Sequence, residues 1–169
     1  MMENIEILYD ILTQEELNYI KGLIEDKSNW NWRTNYDDLN GNGEKLWYDS
    51  IFPDYDRLKN YHSIITQNGK YLVAETAINI ISKERQNKNN YHKDSGDLSY
   101  VTYFDRNFEG GRFFYYNNQR EKFVIEPQAG LSIKIGPGVF HEVEEIFDGI
   151  RYSLYSFLIH KPKEFKSII

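Results

Sequence analysis

The 169-residue sequence contains no cysteine. Disulfide frameworks, zinc–thiolate centres and thiol nucleophiles are therefore excluded, and the lack of cysteine is compatible with the cytoplasm. No segment reaches the roughly 18 apolar residues that a membrane-spanning helix needs. The first four residues, Met-Met-Glu-Asn, lack the basic and apolar regions of a signal peptide. We therefore expect a cytoplasmic protein that neither carries a membrane segment nor binds a membrane.

Basic residues are also fewer than acidic residues. The chain has 20 Lys and Arg against 26 Asp and Glu, which gives a net charge of −6. Proteins that bind nucleic acids usually carry a basic patch or stripe. The longest basic stretch here, residues 83–93, is interpreted as a solvated loop, with local steering of an acidic substrate as the alternative. The composition thus argues against a nucleic-acid partner.

The length favours one domain over residues 1–169, with a helical part over about 1–70. A capping box, Thr13-Gln14-Glu15-Glu16, predicts a helix over about residues 14–26. A second helix is predicted over about residues 55–67, where apolar residues recur at helical spacing. Residues 28–50 are expected to form a loop, with a short strand around 45–48.

The pattern changes after residue 70, and residues 71–160 are expected to form the β core of the domain. Short apolar or aromatic runs alternate there with Gly, Pro, Asn or Asp. They lie at residues 73–81, 97–105, 112–117, 122–125, 131–135, 139–143 and 150–159. Six to eight short strands indicate a barrel or sandwich. We expect a mostly β fold of the α+β type, with the helices packed on one face.

Four polar residues in the β region have an informative order and spacing: His92, Asp94, His141 and Arg151. Residues at positions i and i+2 of a strand point to the same face, so His92 and Asp94 can reach one metal ion from one strand. His141 is the candidate third ligand. Two imidazoles and one carboxylate on one side of an ion leave open positions, as suits non-haem Fe(II). Arg151 has the planar fork of donors that binds a carboxylate.

Each of these residues also has a structural interpretation. His92 and His141 taken singly are ordinary polar residues of a barrel, and Asp94 can cap a turn with Ser95 and Gly96. The metal interpretation depends on the four residues occurring together in this order. Mn²⁺, Co²⁺ or Ni²⁺ would fit the same ligand set as Fe(II).

Over residues 75–160 the chain resembles the Fe(II)- and 2-oxoglutarate-dependent dioxygenases, and in particular their prolyl 4-hydroxylase-like branch. The resemblance rests on the His92-x-Asp94 pair and on several further segments. These are Leu98–Asp105, Glu109-Gly110-Gly111, Pro127-x-Ala129-Gly130, Gly136–Val143 and Gly149–Leu154. A His-x-Asp pair alone is a weak signal, whereas the ordered set with an Arg ten residues after the second His is a strong one.

The resemblance implies a double-stranded β-helix, which is a jelly-roll or cupin-like barrel, and the use of Fe(II), 2-oxoglutarate and O₂. It implies that His92, Asp94 and His141 are the iron ligands and catalytic residues. Arg151, Tyr103 and Ser153 would bind 2-oxoglutarate, the first two through its distal carboxylate. Tyr155, the next residue on the same face of that strand, would line the pocket.

The implied activity is hydroxylation of a peptidyl residue, with proline as the leading substrate, coupled to decarboxylation of 2-oxoglutarate to succinate and CO₂. Ascorbate is a candidate stimulant. The alternative is an oxygenase of a free amino acid or small metabolite. A nucleic-acid demethylase, a cupin-like lyase or isomerase and an inactive binding module fit less well. The demethylase branch carries a second Arg where this chain has Phe157, and a lyase needs no carboxylate clamp such as Arg151. The sequence leaves the oligomeric state open.

Overall fold

The computed structural model describes residues 4–34, 47–86 and 91–162 of the chain. The described residues contain two α-helices and eleven strands. The helices are α1 (Gln14–Glu25) and α2 (Lys59–Ile65). The strands before residue 70 are β1 (Ile5–Tyr9), β2 (Asn31–Thr34) and β3 (Trp47–Ile51). The later strands are β4 (Tyr71–Ser82), β5 (Leu98–Tyr103), β6 (Phe108–Gly110), β7 (Phe113–Tyr116), β8 (Lys122–Ile125), β9 (Leu131–Ile135), β10 (His141–Val143) and β11 (Ile146–His160).

Helix α1 begins as the capping box predicts. The Thr13 side chain accepts a hydrogen bond from the Glu16 backbone N–H at 3.1 Å, and Glu16 Oε1 accepts one from the Thr13 backbone N–H at 3.0 Å. These two bonds satisfy donors that have no partner inside the helix. The other oxygen of Glu16 accepts from the backbone N–H of Tyr61 at 2.9 Å. The same side chain therefore joins the start of α1 to α2.

The second predicted helix is interrupted. Residues Tyr55–Arg57 form a short 3₁₀ turn, capped by the Asp54 side chain, and α2 follows only from Lys59. Leu58 separates the two with φ −123° and ψ 35°, which is outside the helical region, and its side chain is fully buried. Periodicity alone did not reveal this break, because Leu58 keeps its place in the apolar pattern.

Seven predicted strands after residue 70 are confirmed, β8 and β9 with the predicted bounds and the other five with shifted ends, and β6 is an additional strand. β11 begins four residues earlier than predicted, at Ile146, and β10 covers only the last part of residues 139–143. Strands β1 and β2 were missed, and the second of these lies inside the predicted loop 28–50. The strand predicted around 45–48 corresponds to β3, which begins at Trp47. Residues 45 and 46 of the prediction, like the rest of 35–46, lie outside the described residues. Residues 87–90 of the basic stretch 83–93 also lie outside them.

The strands form two antiparallel sheets. The larger has the order β1-β9-β5-β11-β4-β3-β2, with β6 paired to β11, and the smaller has the order β10-β7-β8. The long strand β11 pairs with β4 on one side and with β5 on the other. This mostly β architecture is the predicted double-stranded β-helix, and the position of β11 places its side chains at the centre of the larger sheet.

Two groups of buried apolar side chains stabilise the fold. One joins the helices to the outer face of the larger sheet and includes Ile20, Tyr61, Ile78 and Leu154. The other lies between the two sheets and includes Ile81, Phe113, Ile133 and Ile146, which can be buried because both sheets turn an apolar face inward. In the first group, side chains of both helices pack against strands β4, β5 and β11 of the larger sheet.

No helix in the described part of the chain is long and apolar enough to cross a membrane.

Candidate metal centre and cavity

His141 lies at the first position of β10, after a turn at Pro137 and Gly138. Its ring Nδ1 is 3.0 Å from the carbonyl oxygen of Val139. Because a carbonyl can only accept, Nδ1 carries the proton and donates, which leaves the lone pair of Nε2 for another partner. The ring is buried and stacks on Phe113 with centroids 5.3 Å apart. The orientation of the His141 ring is therefore fixed by one hydrogen bond and one aromatic contact.

His92 lies opposite His141 in an isolated antiparallel β-bridge. The two backbone N–H groups donate to each other's carbonyl oxygens, at 3.0 and 2.8 Å. The imidazole centroids are 4.4 Å apart. His141 also pairs with Tyr115 of β7. The backbone pairing of the smaller sheet thus brings together two histidines that are 49 positions apart in the sequence.

Asp94 completes the group. Its Oδ1 lies 3.5 Å from Nε2 of His92 and 3.5 Å from Nε2 of His141, and one donor atom from each residue lies within 4.8 Å of the others. Burial alone would raise the pKa of Asp94, but the close contacts with His141 and His92 and a hydrogen bond from Ser99 outweigh it and hold the pKa below its usual value. Asp94 therefore presents an ionised carboxylate to both imidazoles.

The expectation that His92 and Asp94 share a strand was wrong. His92 forms only the single bridge with His141, and Asp94 follows it in a non-regular segment. The segment from Tyr91 to Asp97 contains Ser95 and Gly96 and pairs no further, so a ladder never develops. The two side chains nevertheless converge, because the bridge fixes His92 and the chain after it turns Asp94 back toward both rings.

The donor set is chemically suited to a divalent metal. It offers two neutral imidazole nitrogens and one carboxylate oxygen, and the contact of His141 with a carbonyl oxygen is the supporting interaction that metal-binding histidines usually make. Three donors grouped on one side leave coordination positions for other ligands.

The group opens into a cavity of about 220 Å³ between the two sheets. The cavity is lined by all six residues singled out from the sequence: His92, Asp94, His141, Arg151, Tyr103 and Ser153. Tyr155 lines it too, as expected. A second cavity of about 250 Å³, between β1 and the β7–β8 hairpin, contains none of them.

Arg151 is the cation of this cavity. It is 5% exposed, and no carboxylate of the described residues lies within ion-pair distance of it. Its Nε is buried without a hydrogen-bond partner in the described part of the chain. Burial lowers the pKa of Arg151, and Tyr103 acts in the opposite direction, although an Arg remains protonated under working conditions. A buried guanidinium without an anionic partner matches a site that binds a carboxylate ligand.

Tyr103 and Ser153 lie beside Arg151 because of strand register. Ser153 is directly opposite Tyr103 in the β5–β11 pair and two residues from Arg151 on the same face of β11. Both side chains are buried, and burial raises the pKa of Tyr103 against the influence of Arg151 and Arg106. Tyr103 therefore keeps its proton and can donate a hydrogen bond.

The sequence did not identify several other residues that line the cavity, among them Tyr48, Glu75, Asn79, Phe113 and Phe157. Of these, Glu75 and Asn79 carry a signal that was visible beforehand, since both are polar residues inside the apolar run 73–81. Their place in the cavity follows from the pairing of β4 with β11, which a sequence motif does not encode.

The fold of this chain matches solved structures, whereas its sequence matches no protein-family model and no curated protein. Solved structures match over nearly its whole length. An oxidoreductase of the 2OG-Fe(II) oxygenase family from Burkholderia pseudomallei has a TM-score of 0.63 and 20% identity, covering 92% of this chain and 85% of its own. The chain has the fold of the 2-oxoglutarate–Fe(II) oxygenases.

Two further solved structures have the same fold. One is a prolyl hydroxylase from Trichoplax adhaerens in complex with a peptide fragment of the hypoxia inducible factor oxygen degradation domain. It has a TM-score of 0.64 and 12% identity, and the match covers 93% of this chain and 84% of the hydroxylase. The other is SnoK, an alpha-ketoglutarate-dependent carbocyclase from nogalamycin biosynthesis, with a TM-score of 0.65 and 12% identity. The match covers 94% of this chain and 80% of SnoK. The same fold thus serves a peptide-binding and a small-molecule enzyme.

Proposed function

We propose that this protein is an Fe(II)- and 2-oxoglutarate-dependent oxygenase in which His92, Asp94 and His141 hold the metal. The proposal rests above all on one observation: the three donors and the buried guanidinium of Arg151 line the same cavity. A metal site alone would fit many proteins. A metal site that shares its cavity with a buried cation, which has no anionic partner among the described residues, fits a co-substrate that is bound at both ends.

The residues that line the cavity have separate roles in binding and in excluding water. Arg151, helped by the hydroxyls of Tyr103 and Ser153, binds the distal carboxylate of 2-oxoglutarate and so directs its oxo-acid end toward the metal. The apolar surroundings exclude water from the reacting centre. Bound Fe(II) and 2-oxoglutarate supply the oxidising chemistry, in which O₂ is consumed, 2-oxoglutarate becomes succinate and CO₂, and one oxygen atom is transferred to the substrate.

For the substrate, we propose a peptidyl residue, with proline first. The motifs that resemble the prolyl 4-hydroxylase-like branch support this assignment, as does the match to a prolyl hydroxylase that was solved with a peptide. A free amino acid or small metabolite is the second candidate, supported by the equally extensive match to SnoK. Ascorbate is a proposed stimulant in either case.

Succinate release tests the proposal. The purified protein is supplied with Fe(II), 2-oxoglutarate, ascorbate and air, with and without a proline-rich peptide, and then with free amino acids. Succinate release that the peptide stimulates, with a mass gain of one oxygen on the peptide, supports the peptidyl assignment. Stimulation only by a free amino acid or metabolite supports the second candidate. No succinate under any condition, from protein that retains iron, contradicts the oxygenase assignment.

A further inference from the structure

Unsatisfied polar atoms are concentrated on three adjoining strands of the larger sheet, where Asn79 and Arg151 line the cavity. Five buried side-chain atoms of the described residues have no hydrogen-bond partner, and three of these are Ser50 Oγ, Asn79 Oδ1 and Arg151 Nε. They belong to the adjoining strands β3, β4 and β11. Buried polar atoms in native proteins are nearly always paired. Three unpaired ones on neighbouring strands therefore indicate a hydrogen-bond network that is completed only when a polar ligand is bound.

The strand register aligns these side chains. Ser50 is opposite Asn79 in the β3–β4 pair, Asn79 is opposite Ser153 in the β4–β11 pair, and Ser153 is opposite Tyr103 in the β11–β5 pair. Directly opposed residues of antiparallel strands project from the same face of a sheet. Asn79, Ser153 and Tyr103 all line the cavity. Asn79 thus lies in the same polar row as two residues proposed to bind the co-substrate.

We propose that Asn79 binds 2-oxoglutarate together with Arg151, and that Ser50 orients the Asn79 amide. This inference rests on the proposed function. The carboxylates and the keto group of 2-oxoglutarate can only accept hydrogen bonds, so Asn79 contributes its Nδ2–H as a donor. Its Oδ1 then requires a donor from the protein. The hydroxyl of Ser50, which is buried on the neighbouring strand and has no partner in the described part of the chain, is the group placed to provide it.

A purely structural role explains Asn79 poorly. Its Oδ1 is buried and has no hydrogen-bond partner among the described residues. The outer face of the same sheet shows the contrast: the hydroxyl of Thr76 lies 2.7 Å from that of Ser156, and the hydroxyl of Thr102 lies 2.7 Å from that of Ser132. An unpaired amide weakens a free protein and is useful only when a ligand pairs it.

Calorimetric titration of 2-oxoglutarate into the Mn(II)-loaded protein tests the inference without turnover. Asn79→Asp keeps the size of the side chain but sets a negative charge against the dianion, and we expect the Kd to rise by at least about tenfold. Asn79→Leu should raise the Kd by about tenfold and Ser50→Ala by a few-fold. Thr76→Val, on the outer face of the same strand, is the matched control and should leave the Kd unchanged.

Thermal unfolding of the ligand-free variants separates binding from structure. Asn79→Leu removes an unpaired polar group, so its Tm should not fall, whereas Thr76→Val loses the bond to Ser156 and should unfold at a lower temperature. A Kd for Asn79→Leu equal to that of the unmodified protein would overturn the inference. So would a fall in its Tm as large as that of Thr76→Val. If the unmodified protein with Mn(II) bound no 2-oxoglutarate at all, the proposed function itself would fail, and the role of Asn79 with it.

Discussion

The backbones of His92 and His141 hold each other in register: each N–H donates to the other's carbonyl oxygen, at 3.0 and 2.8 Å. A reciprocal pair of this kind fixes both backbones at once, and the two rings consequently lie with centroids 4.4 Å apart. Asp94 then needs only two more residues of chain to approach both imidazoles. The donor group is therefore set by the fold before any metal binds.

Loss of one donor should abolish metal binding. In His141→Ala, the remaining His92 and Asp94 leave a two-ligand site, and we expect the bound iron and the release of succinate both to disappear. The barrel should stay folded, because His141 lies at the end of a short strand whose backbone pairing does not need the ring. Metal analysis after desalting, with circular dichroism as the control for folding, checks this. Retained iron with turnover like that of the unmodified chain would remove His141 from the site.

The hydroxyl of Ser99 should influence metal affinity from outside the ligand set. Ser99 is buried and donates to Asp94, which helps to hold that carboxylate in place. Removing a group that supports a metal ligand typically weakens binding by about 10–100-fold, so Ser99→Ala should raise the Kd for Mn(II) by about tenfold or more. The control is Ser132→Ala, which removes a buried hydrogen bond with Thr102 instead. Equal Mn(II) affinity in the two variants would argue against a role for Ser99.

Arg151 should be required for the co-substrate but not for the metal. In Arg151→Gln the charged fork is lost, and because a hydrogen bond to a charged group contributes about 1.5–3 kcal/mol, the Kd for 2-oxoglutarate should rise by about 10–100-fold. Arg151→Lys keeps the charge but not the planar fork, so an intermediate loss is expected. Titrations of 2-oxoglutarate and of Mn(II) into each variant separate the two effects. Unchanged 2-oxoglutarate affinity in Arg151→Gln would refute the carboxylate clamp.

The same arginine should reduce the stability of the ligand-free chain. Its guanidinium is buried without an ionic partner among the described residues, and replacing buried charges by apolar groups of similar size is often neutral or stabilising by about 1–4 kcal/mol. We therefore expect Arg151→Met to unfold at the same or a higher urea concentration than the unmodified protein. A variant destabilised by several kcal/mol would mean that Arg151 serves chiefly to hold the fold together.

Two glycines with similar positive φ angles should respond differently to substitution. Gly110 and Gly138 have φ of 82° and 76°, but a Cβ on Gly110 would collide with the carbonyl oxygen of Glu145, whereas a Cβ on Gly138 would meet nothing within 4 Å. Gly138→Ala should cost about 1 kcal/mol of unfolding free energy, from the left-handed backbone alone. Gly110→Ala should cost at least about 2 kcal/mol, because the β6–β11 pairing must also shift. Urea unfolding of both compares them directly, and equal losses would show that the close approach is harmless.

The sequence predicted those elements whose signals are local. The capping box at Thr13 located the start of α1, and turn residues bounded most of the strands after residue 70. Strand β1 was missed, although four of its five residues are apolar or aromatic, because so short a run is a weak pattern until β9 pairs with it across the sheet. The break at Leu58 was missed because the residue fits the helical periodicity while its backbone leaves the helical region.

The candidate site was predictable to the extent that it follows a motif. His92, Asp94, His141 and Arg151 were singled out by order and spacing, and the structure brings all four to one cavity. The supposed shared strand of His92 and Asp94 was wrong, since spacing does not reveal whether a segment pairs beyond one residue. Asn79 is 72 residues from Arg151 in the sequence, and only the register of β4 on β11 makes them neighbours.

Anaerobic equilibrium dialysis with Fe(II) and 2-oxoglutarate asks whether one cavity holds both ligands. We expect one tightly bound Fe(II) per chain. We also expect 2-oxoglutarate to bind in equal amount when the metal is present and weakly without it, and Asp94→Ala to lose both ligands. Iron retained equally by Asp94→Ala, or 2-oxoglutarate bound with no dependence on the metal, would contradict the proposal that His92, Asp94 and His141 hold the metal beside the co-substrate.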